Sequence, residues 1–272
     1  MPGRRIELEA YFRVMKIFLL LIISTFSISA CAQSWNGKKC AVVLTYDDAL
    51  PVHLTNAIPA LDSLGLKGTF YLANYNGLLQ QKATEWRKAA KEGHELANHT
   101  MRHPCEGGRP GREFVKPEND LNNYTVKRMI DDIMSMNDAL NKIDGKTERT
   151  FAYPCGDAKI HDTSYIDPVK DKFIAARGVR ADMPLAKDVD LYDVSCQPVN
   201  GETGEQLIQY VKQAIEKKAL LVFLFHGVGG DHALNVSLDA HRALLHFLKQ
   251  NETDIWNATM IDVAKFVKHQ QQ

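Results

Sequence analysis

Two stretches constrain the fold more than anything else in the chain: Ala219-Leu-Leu-Val-Phe-Leu-Phe225 and Cys40-Ala-Val-Val-Leu-Thr-Tyr46. Each is a nearly continuous apolar run without alternation, the pattern of a strand buried on both faces. Such strands belong to parallel sheets covered by helices, and helical spacing does recur between the strand candidates. Residues 51–64 place Leu54, Ile58, Leu61 and Leu64 on one helical face, with Gly65 to stop the helix. A strand at 68–72, a helix at 81–92 and a strand at 94–98 follow. Then come a helix at 123–143 with Val126, Ile130, Ile133, Met134 and Leu140 inward, and short strands at 150–153, 172–176 and 191–194. Helices at 203–217, 237–249 and 258–268 alternate with strands at 219–225 and 254–257. About seven such units in one domain of this length predict a β/α barrel rather than an open sheet.

The polar residues fall where such a barrel builds its chemistry. Asp47-Asp48, His99, Cys155-Gly156, Asp193 and His226 all stand at or just past strand C-termini. His99 and His103 are four apart, so on a helical turn both imidazoles point at one ion, and a carboxylate from elsewhere makes a third ligand. Three protein ligands leave a position for water, the mark of a catalytic rather than a structural zinc site. Adjacent aspartates on a regular strand face opposite ways, so Asp47 and Asp48 serve one site only if the strand breaks at this pair. The Gly- and Pro-rich segment 105–117 reads as a surface loop beside this site.

Charge excludes one class of partner. Lys+Arg and Asp+Glu both number 33 and no basic stripe is visible, which argues against nucleic acid. At the N-terminus, Lys16 precedes the apolar run Ile17–Ile23 and a small-residue exit, the pattern of a secretory signal over residues 1–32 and too short to span a bilayer. Glu7 and Glu9 fit a basic leader poorly, so translation is expected from Met15. Ala30-Cys31-Ala32 suits an ordinary signal peptidase, and Ile28-Ser29-Ala30-Cys31 looks like a lipobox that would anchor Cys31 through lipid. Both exits remain open. Either way the mature domain, 33–272, is exported to a periplasmic or extracellular and oxidising compartment, where Cys40, Cys105, Cys155 and Cys196 can pair in three ways.

These motifs resemble, in order and spacing, the polysaccharide deacetylase (NodB-like) family of carbohydrate esterases, from about Cys40 to Lys268. Thr45-Tyr46-Asp47-Asp48-Ala49 stands for the first family motif, His99-Thr-Met-Arg-His103-Pro104 for the second and Ala152-Tyr153-Pro154-Cys155-Gly156 for an altered third. Asp193-Val194 is a weak fourth, and Leu224-Phe225-His226 the fifth. The resemblance implies a distorted (β/α) barrel of about seven strands and a hydrolase removing acetyl groups from a carbohydrate. An N-acetylated glycan of chitooligosaccharide or peptidoglycan type is slightly favoured over an O-acetylated polysaccharide, with a non-catalytic glycan-binding barrel as the competing class. It also implies that Asp48, His99 and His103 bind a divalent metal, expected to be zinc, and that Asp47 is the general base. Chemistry agrees: zinc brings the pKa of bound water to about 7 and polarises the acetyl carbonyl. Asp47 would take the water's proton, a backbone N–H near Cys155 would help hold the oxyanion, His226 would protonate the leaving group, and Asp193 would orient His226.

Three positions depart from the family pattern. Ala152 stands where the arginine that holds the base aspartate would be, Ala49 replaces a glycine, and Val194 replaces a tryptophan. Without the motif arginine, Asp47 is well held only if Arg149, Arg177 or Arg180 reaches it. His53, His161, His232, His241, His246 and His269 read as surface or packing residues.

Overall fold

The computed structural model describes residues 35–272. The expected signal, the Met15 start and Cys31 lie outside the described residues. Eight strands form the main sheet: β1 (Cys40–Asp47), β2 (Thr69–Leu72), β3 (Glu95–Asn98), β4 (Thr150–Ala152), β5 (Ala175–Arg177), β6 (Gln197–Pro198), β7 (Leu220–Phe225) and β8 (Ile255–Asn257). All pair in parallel, in the order β5-β4-β3-β2-β1-β7-β6. β8 joins the first half of β1, Cys40–Val42, while Thr45–Asp47 pair with β2. Past β5, Val194 bridges Arg177, and soon afterwards β6 pairs with β7, so one short segment draws the two flanks of the sheet together. The result is the distorted barrel expected of the sequence.

Two apolar layers hold it. Alternate residues of the central strands, Val42, Leu44 and Tyr46 with Leu221, Phe223 and Phe225, face outward under the helices α4 (Gly204–Lys217) and α5 (Leu238–Gln250). Their neighbours Ala41, Val43, Val222 and Leu224 face inward with Ala97, Ala152 and Ala175, against the last helix, α6 (Met260–Gln270). Three further helices are α1 (Ile58–Ser63), entered through a π-helical turn at His53–Ala57, α2 (Ala83–Lys91), preceded by a single turn at Leu78–Gln81, and α3 (Val126–Asp144). Helix starts follow the sequence's caps: Thr125, Thr203, Ser237 and Thr259 each accept a backbone N–H of the first turn, and Thr203 forms a full capping box with Gln206.

Two expectations are corrected. The buried face of α3 is Met129, Ile133, Met136, Leu140 and Ile143, with Val126, Ile130 and Met134 only half-buried. Residues 191–193 are a turn rather than a strand, because the Asp190 carboxylate captures the Tyr192 N–H (2.9 Å) and bends the chain.

Candidate active site

β1 ends at the acidic pair, and its backbone breaks there as a shared site requires. Asp48 has φ 81° and Ala49 φ 54°, both in the left-handed region, which explains why a glycine suits position 49 and what its alanine must tolerate. Asp47 thereby keeps the inward direction of Thr45 while Asp48 is turned back over the same opening. Both are almost wholly buried.

Of the three candidate arginines, Arg177 reaches Asp47, its Nη2 donating to Oδ2 at 2.5 Å. Arg149 is paired with Asp144 and Arg180 with Asp182. Arg177 is the register partner of Ala152 on the adjacent strand, so the cation enters the barrel from β5 into the space that a small residue on β4 leaves. Its Nη1 donates to Gly178 O (3.0 Å) and its guanidinium lies 5.0 Å from the centre of the Tyr71 ring. Burial alone would make Arg177 easier to deprotonate, but the Asp47 carboxylate, together with Cys196 and Tyr71, raises the guanidinium pKa above its ordinary value.

Beside this pair, Asp48, His99 and His103 converge. His99 Nε2 lies 3.7 Å and His103 Nε2 3.4 Å from Asp48 Oδ1, and the three donor atoms lie within 4.8 Å of one another. Asp48 Oδ1 is buried and has no hydrogen-bond partner. His99 Nδ1 bonds to Ala152 O (2.8 Å), which places its proton there and leaves Nε2 as a lone pair. His103 Nδ1 faces Cys105 Sγ at 3.6 Å. One hard carboxylate oxygen and two imidazole nitrogens, with a buried unsatisfied acceptor among them, fit a divalent cation.

The histidines do not sit on a helical turn. Thr100 (φ 67°) and His103 (φ 52°) are left-handed, and side chains in place of i→i−4 bonds hold the loop. Asn98 Oδ1 accepts from Thr100 N, Thr100 Oγ1 from His103 N, and Asp132 Oδ2 from Met101 N and Arg102 N. The two histidines meet Asp48 through this knot of side-chain acceptors.

His226 stands on the other side of Asp48, its Nε2 3.8 Å from Oδ2. His232, expected as a surface or packing residue, stacks on it with ring centres 4.6 Å apart and brings its own Nε2 to 4.0 Å from the same oxygen. Leu234 N–H donates to His232 Nδ1 (3.0 Å), so the neutral ring carries its proton on Nε2. The signal for it was the glycine pair in His226-Gly-Val-Gly-Gly-Asp-His232: Gly229 (φ 75°) and Gly230 (φ 145°) let the chain turn back. Asp193 does not orient His226. It is exposed with its carboxylate against Gly178, and His226 Nδ1 is buried without a partner. Burial would raise the Asp48 pKa, yet the four histidines, His103 and His99 foremost, hold it below the usual carboxylate range. Burial in turn lowers His226, and pushes His99 down to about 4.

Cys155 (φ 55°) forms a disulfide with Cys105, leaving Cys40 and Cys196 free and buried. The bridge ties the loop carrying His103 to the turn after β4. There Gly156 N and Asp157 N are engaged by Tyr153 O and Pro154 O, and the Cys155 amide lies at the head of the turn. Arg112 locks the same corner, donating to Asp157 Oδ2 at 2.5 Å and to Cys155 O at 3.1 Å. Asp47, Asp48, His99, His103, Arg112, Cys155, His226 and His232 line one cleft of about 870 Å³.

A parallel barrel with its acidic pair and paired histidines gathered over the C-terminal ends of the strands defines a carbohydrate-esterase type of hydrolase fold. The chain belongs to the polysaccharide deacetylase family, whose model matches residues 35–169. Among solved structures it is similar to a protein of Mycobacterium smegmatis assigned as a polysaccharide deacetylase (15% identity, TM-score 0.62, covering 86% of this chain and 92% of that one). It is also similar to the family 4 carbohydrate esterase PdaA of Bacillus subtilis (16%, 0.53, 87% and 84%). A third likeness is to the Xyl-CE4 domain of a multidomain xylanase from the hindgut metagenome of Trinervitermes trinervoides (17%, 0.52, 84% and 90%). At these identities the likeness is one of fold. No match is found among curated proteins.

Proposed function

We propose that this protein is an exported, metal-dependent deacetylase that removes acetyl groups from an N-acetylated glycan of the chitooligosaccharide or peptidoglycan type. The observation that carries the reading is the buried Arg177–Asp47 pair set against the convergent donors of Asp48, His99 and His103. A divalent cation on those three donors, zinc by their chemistry, would supply Lewis acidity toward the acetyl carbonyl and lower the pKa of a coordinated water. Asp47 takes up the proton released in the attack, and Arg177 holds its carboxylate in place and aimed. The Cys155 amide, on a turn immobilised by the disulfide and Arg112, would donate to the oxyanion. His226, beside Asp48 at the cleft wall, returns a proton to the leaving group. An amine must be protonated before the C–N bond breaks, and His226 is the side chain that would supply that proton. The disulfide suits the oxidising compartment that the N-terminal signal implies.

The experiment is acetate release from chitooligosaccharides, peptidoglycan fragments and acetylated xylan, with bound metal measured in the same samples. Asp48→Ala is expected to lose metal and activity together, whereas Asp47→Asn keeps metal and loses turnover by about 100-fold or more. Normal turnover in Asp47→Asn would overturn the assignment of the base, and release from xylan alone would move the substrate to an ester.

A further inference from the structure

His226 lacks the partner that the sequence suggests for it. A histidine ring turns almost freely about its last torsion, so a ring that must face one way is ordinarily held by a hydrogen bond at the nitrogen that does no chemistry. Asp193 does not supply that bond, and His226 Nδ1 is buried with no partner. The His226 backbone is fixed, its carbonyl oxygen 2.8 Å from His53 Nε2, but that contact leaves the ring plane unset.

One flat group does lie on it. The His232 ring is parallel to that of His226 within 13°, their centres 4.6 Å apart. The loop between them is fixed at several points: Gly227–Val228 pair with Asn235–Val236, Gly230 N donates to Asn235 Oδ1 (2.9 Å), and Asp231 Oδ2 accepts from Val52 N (3.1 Å). A side chain on Gly227 would strike Gly230 O and one on Gly229 would strike Leu238, so the close turn admits only glycine at both. His232 itself is held at its far edge, where Leu234 N donates to Nδ1 at 3.0 Å and Leu234 O stands farther off at 3.3 Å.

Resting on the proposed deacetylase reading, we infer that His232 is the positioning residue of His226: its ring face sets the plane in which His226 meets the leaving group, in place of a carboxylate gripping Nδ1. Two other roles fit the geometry less well. A metal ligand needs a free lone pair, and the Leu234 N–H takes the one on Nδ1, which leaves the proton on Nε2, 4.0 Å from Asp48 Oδ2. The stacked pair also faces the wrong oxygen for that role, since His99 and His103 converge on Asp48 Oδ1 while His226 and His232 approach Oδ2. A mere packing residue would be enclosed, whereas the His232 side chain keeps 30% of its surface exposed and lines the cleft.

The test asks whether position 232 supplies a flat ring rather than volume or a ring nitrogen. Zinc-loaded full-chain His232→Ala, His232→Leu and His232→Phe are compared with the parent for acetate release from chitooligosaccharides. His232→Ala and His232→Leu are expected to lower kcat about five- to tenfold, the factor that one stacked ring pair supports, with KM and bound zinc unchanged, and His232→Phe to restore it. Comparable thermal transitions exclude misfolding as the cause. In the metal-free protein the His226 ring protons, assigned by their loss in His226→Gln, are expected as one set of NMR signals displaced upfield in the parent and in His232→Phe, and at the ordinary position in the other two. Recovery by His232→Leu would reduce the role to volume, and loss of zinc or a raised KM would make His232 a ligand or a substrate contact. Either result overturns the inference, as do unchanged turnover in His232→Ala and no recovery by His232→Phe. Failure of the deacetylase reading would appear separately, as absence of Asp48-dependent acetate release from every glycan, and the ring signals then decide alone whether His232 holds His226.

Discussion

Two sets of histidines lie around the central strands and differ in how their ring nitrogens are used. In the shell around β1, His53 accepts from Leu50 N at Nδ1 and bonds His226 O at Nε2 (2.8 Å), while His94 accepts from Gly68 N and bonds Asp62 (3.0 Å). His241 meets the Tyr46 hydroxyl at 2.8 Å. Around Asp48, by contrast, His99, His103, His226 and His232 all turn Nε2 toward one carboxylate, and none of those separations is a hydrogen bond. Burial does not separate the two sets, since His53, His94 and His241 are more enclosed than His226 or His232. A nitrogen left open toward a shared point does.

The contrast breaks if matched substitutions on the two sides behave alike. His99→Gln removes a proposed ligand while keeping volume, and is expected to lower metal affinity by at least about 100-fold, the upper end for loss of a mere supporting partner, and to abolish acetate release. His94→Gln removes a shell histidine and is expected to cost about 1–3 kcal/mol of stability, with metal content and turnover per folded molecule retained. Denaturation curves and metal analysis on both variants decide it; metal loss in His94→Gln would erase the distinction.

Arg177 sharpens the comparison from the carboxylate side. Arg177→Ala strands a buried Asp47 charge and is expected to cost about 3–5 kcal/mol, with turnover lower by about 100-fold and metal retained. Because Ala152 and Arg177 are register partners, Ala152→Arg combined with Arg177→Ala returns a guanidinium to the same interior from β4. Partial recovery of turnover in the double variant, against none in the single one, is the expected outcome. Equal turnover in both would mean that the cation's strand of origin matters more than its charge.

The same residues mark how far the sequence alone could go. Asp47, Asp48, His99, His103 and His226 were legible because each pairs a residue type with a strand end, and strand ends are read from apolar runs. Arg177 was one of three arginines and became distinguishable only through sheet register, which depends on how β4 and β5 align. His232 was passed over because an excursion through Gly229 and Gly230 brings it back beside His226, and glycine dihedrals are not written in the chain. Asp193 was misplaced for a related reason: at 191–194 the turn preference of the neighbouring Asp190 overrode a short strand-like pattern. The helical turn assigned to His99–His103 failed because Asn98, Thr100 and Asp132 offer the backbone closer acceptors than a helix would.

The gentlest probe of the two sets is pH. Burial pushes the shell histidines down, His53 to about 4 and His241 to about 3, and lowers His94 too, so the charged form of each is disfavoured in the folded protein. In the unfolded chain each ionises near 6.5, the ordinary value. The unfolded state therefore binds more protons below that pH, and stability is complete above about 6.5 and lost as pH falls from there toward 4. Each such group contributes up to about 1.4 kcal/mol per pH unit. His99 and His226, lowered by burial as well, add to the slope when metal is removed. His241→Gln keeps an acceptor for Tyr46 and cannot titrate, so it isolates one shell member. Urea denaturation of the metal-free protein between about pH 7.5 and 5 is expected to show a shallower loss of stability in His241→Gln than in the parent, the curves drawing together toward low pH. Parallel curves would mean that His241 is already charged when folded, and that the shell histidines are not the neutral packing groups their paired nitrogens indicate.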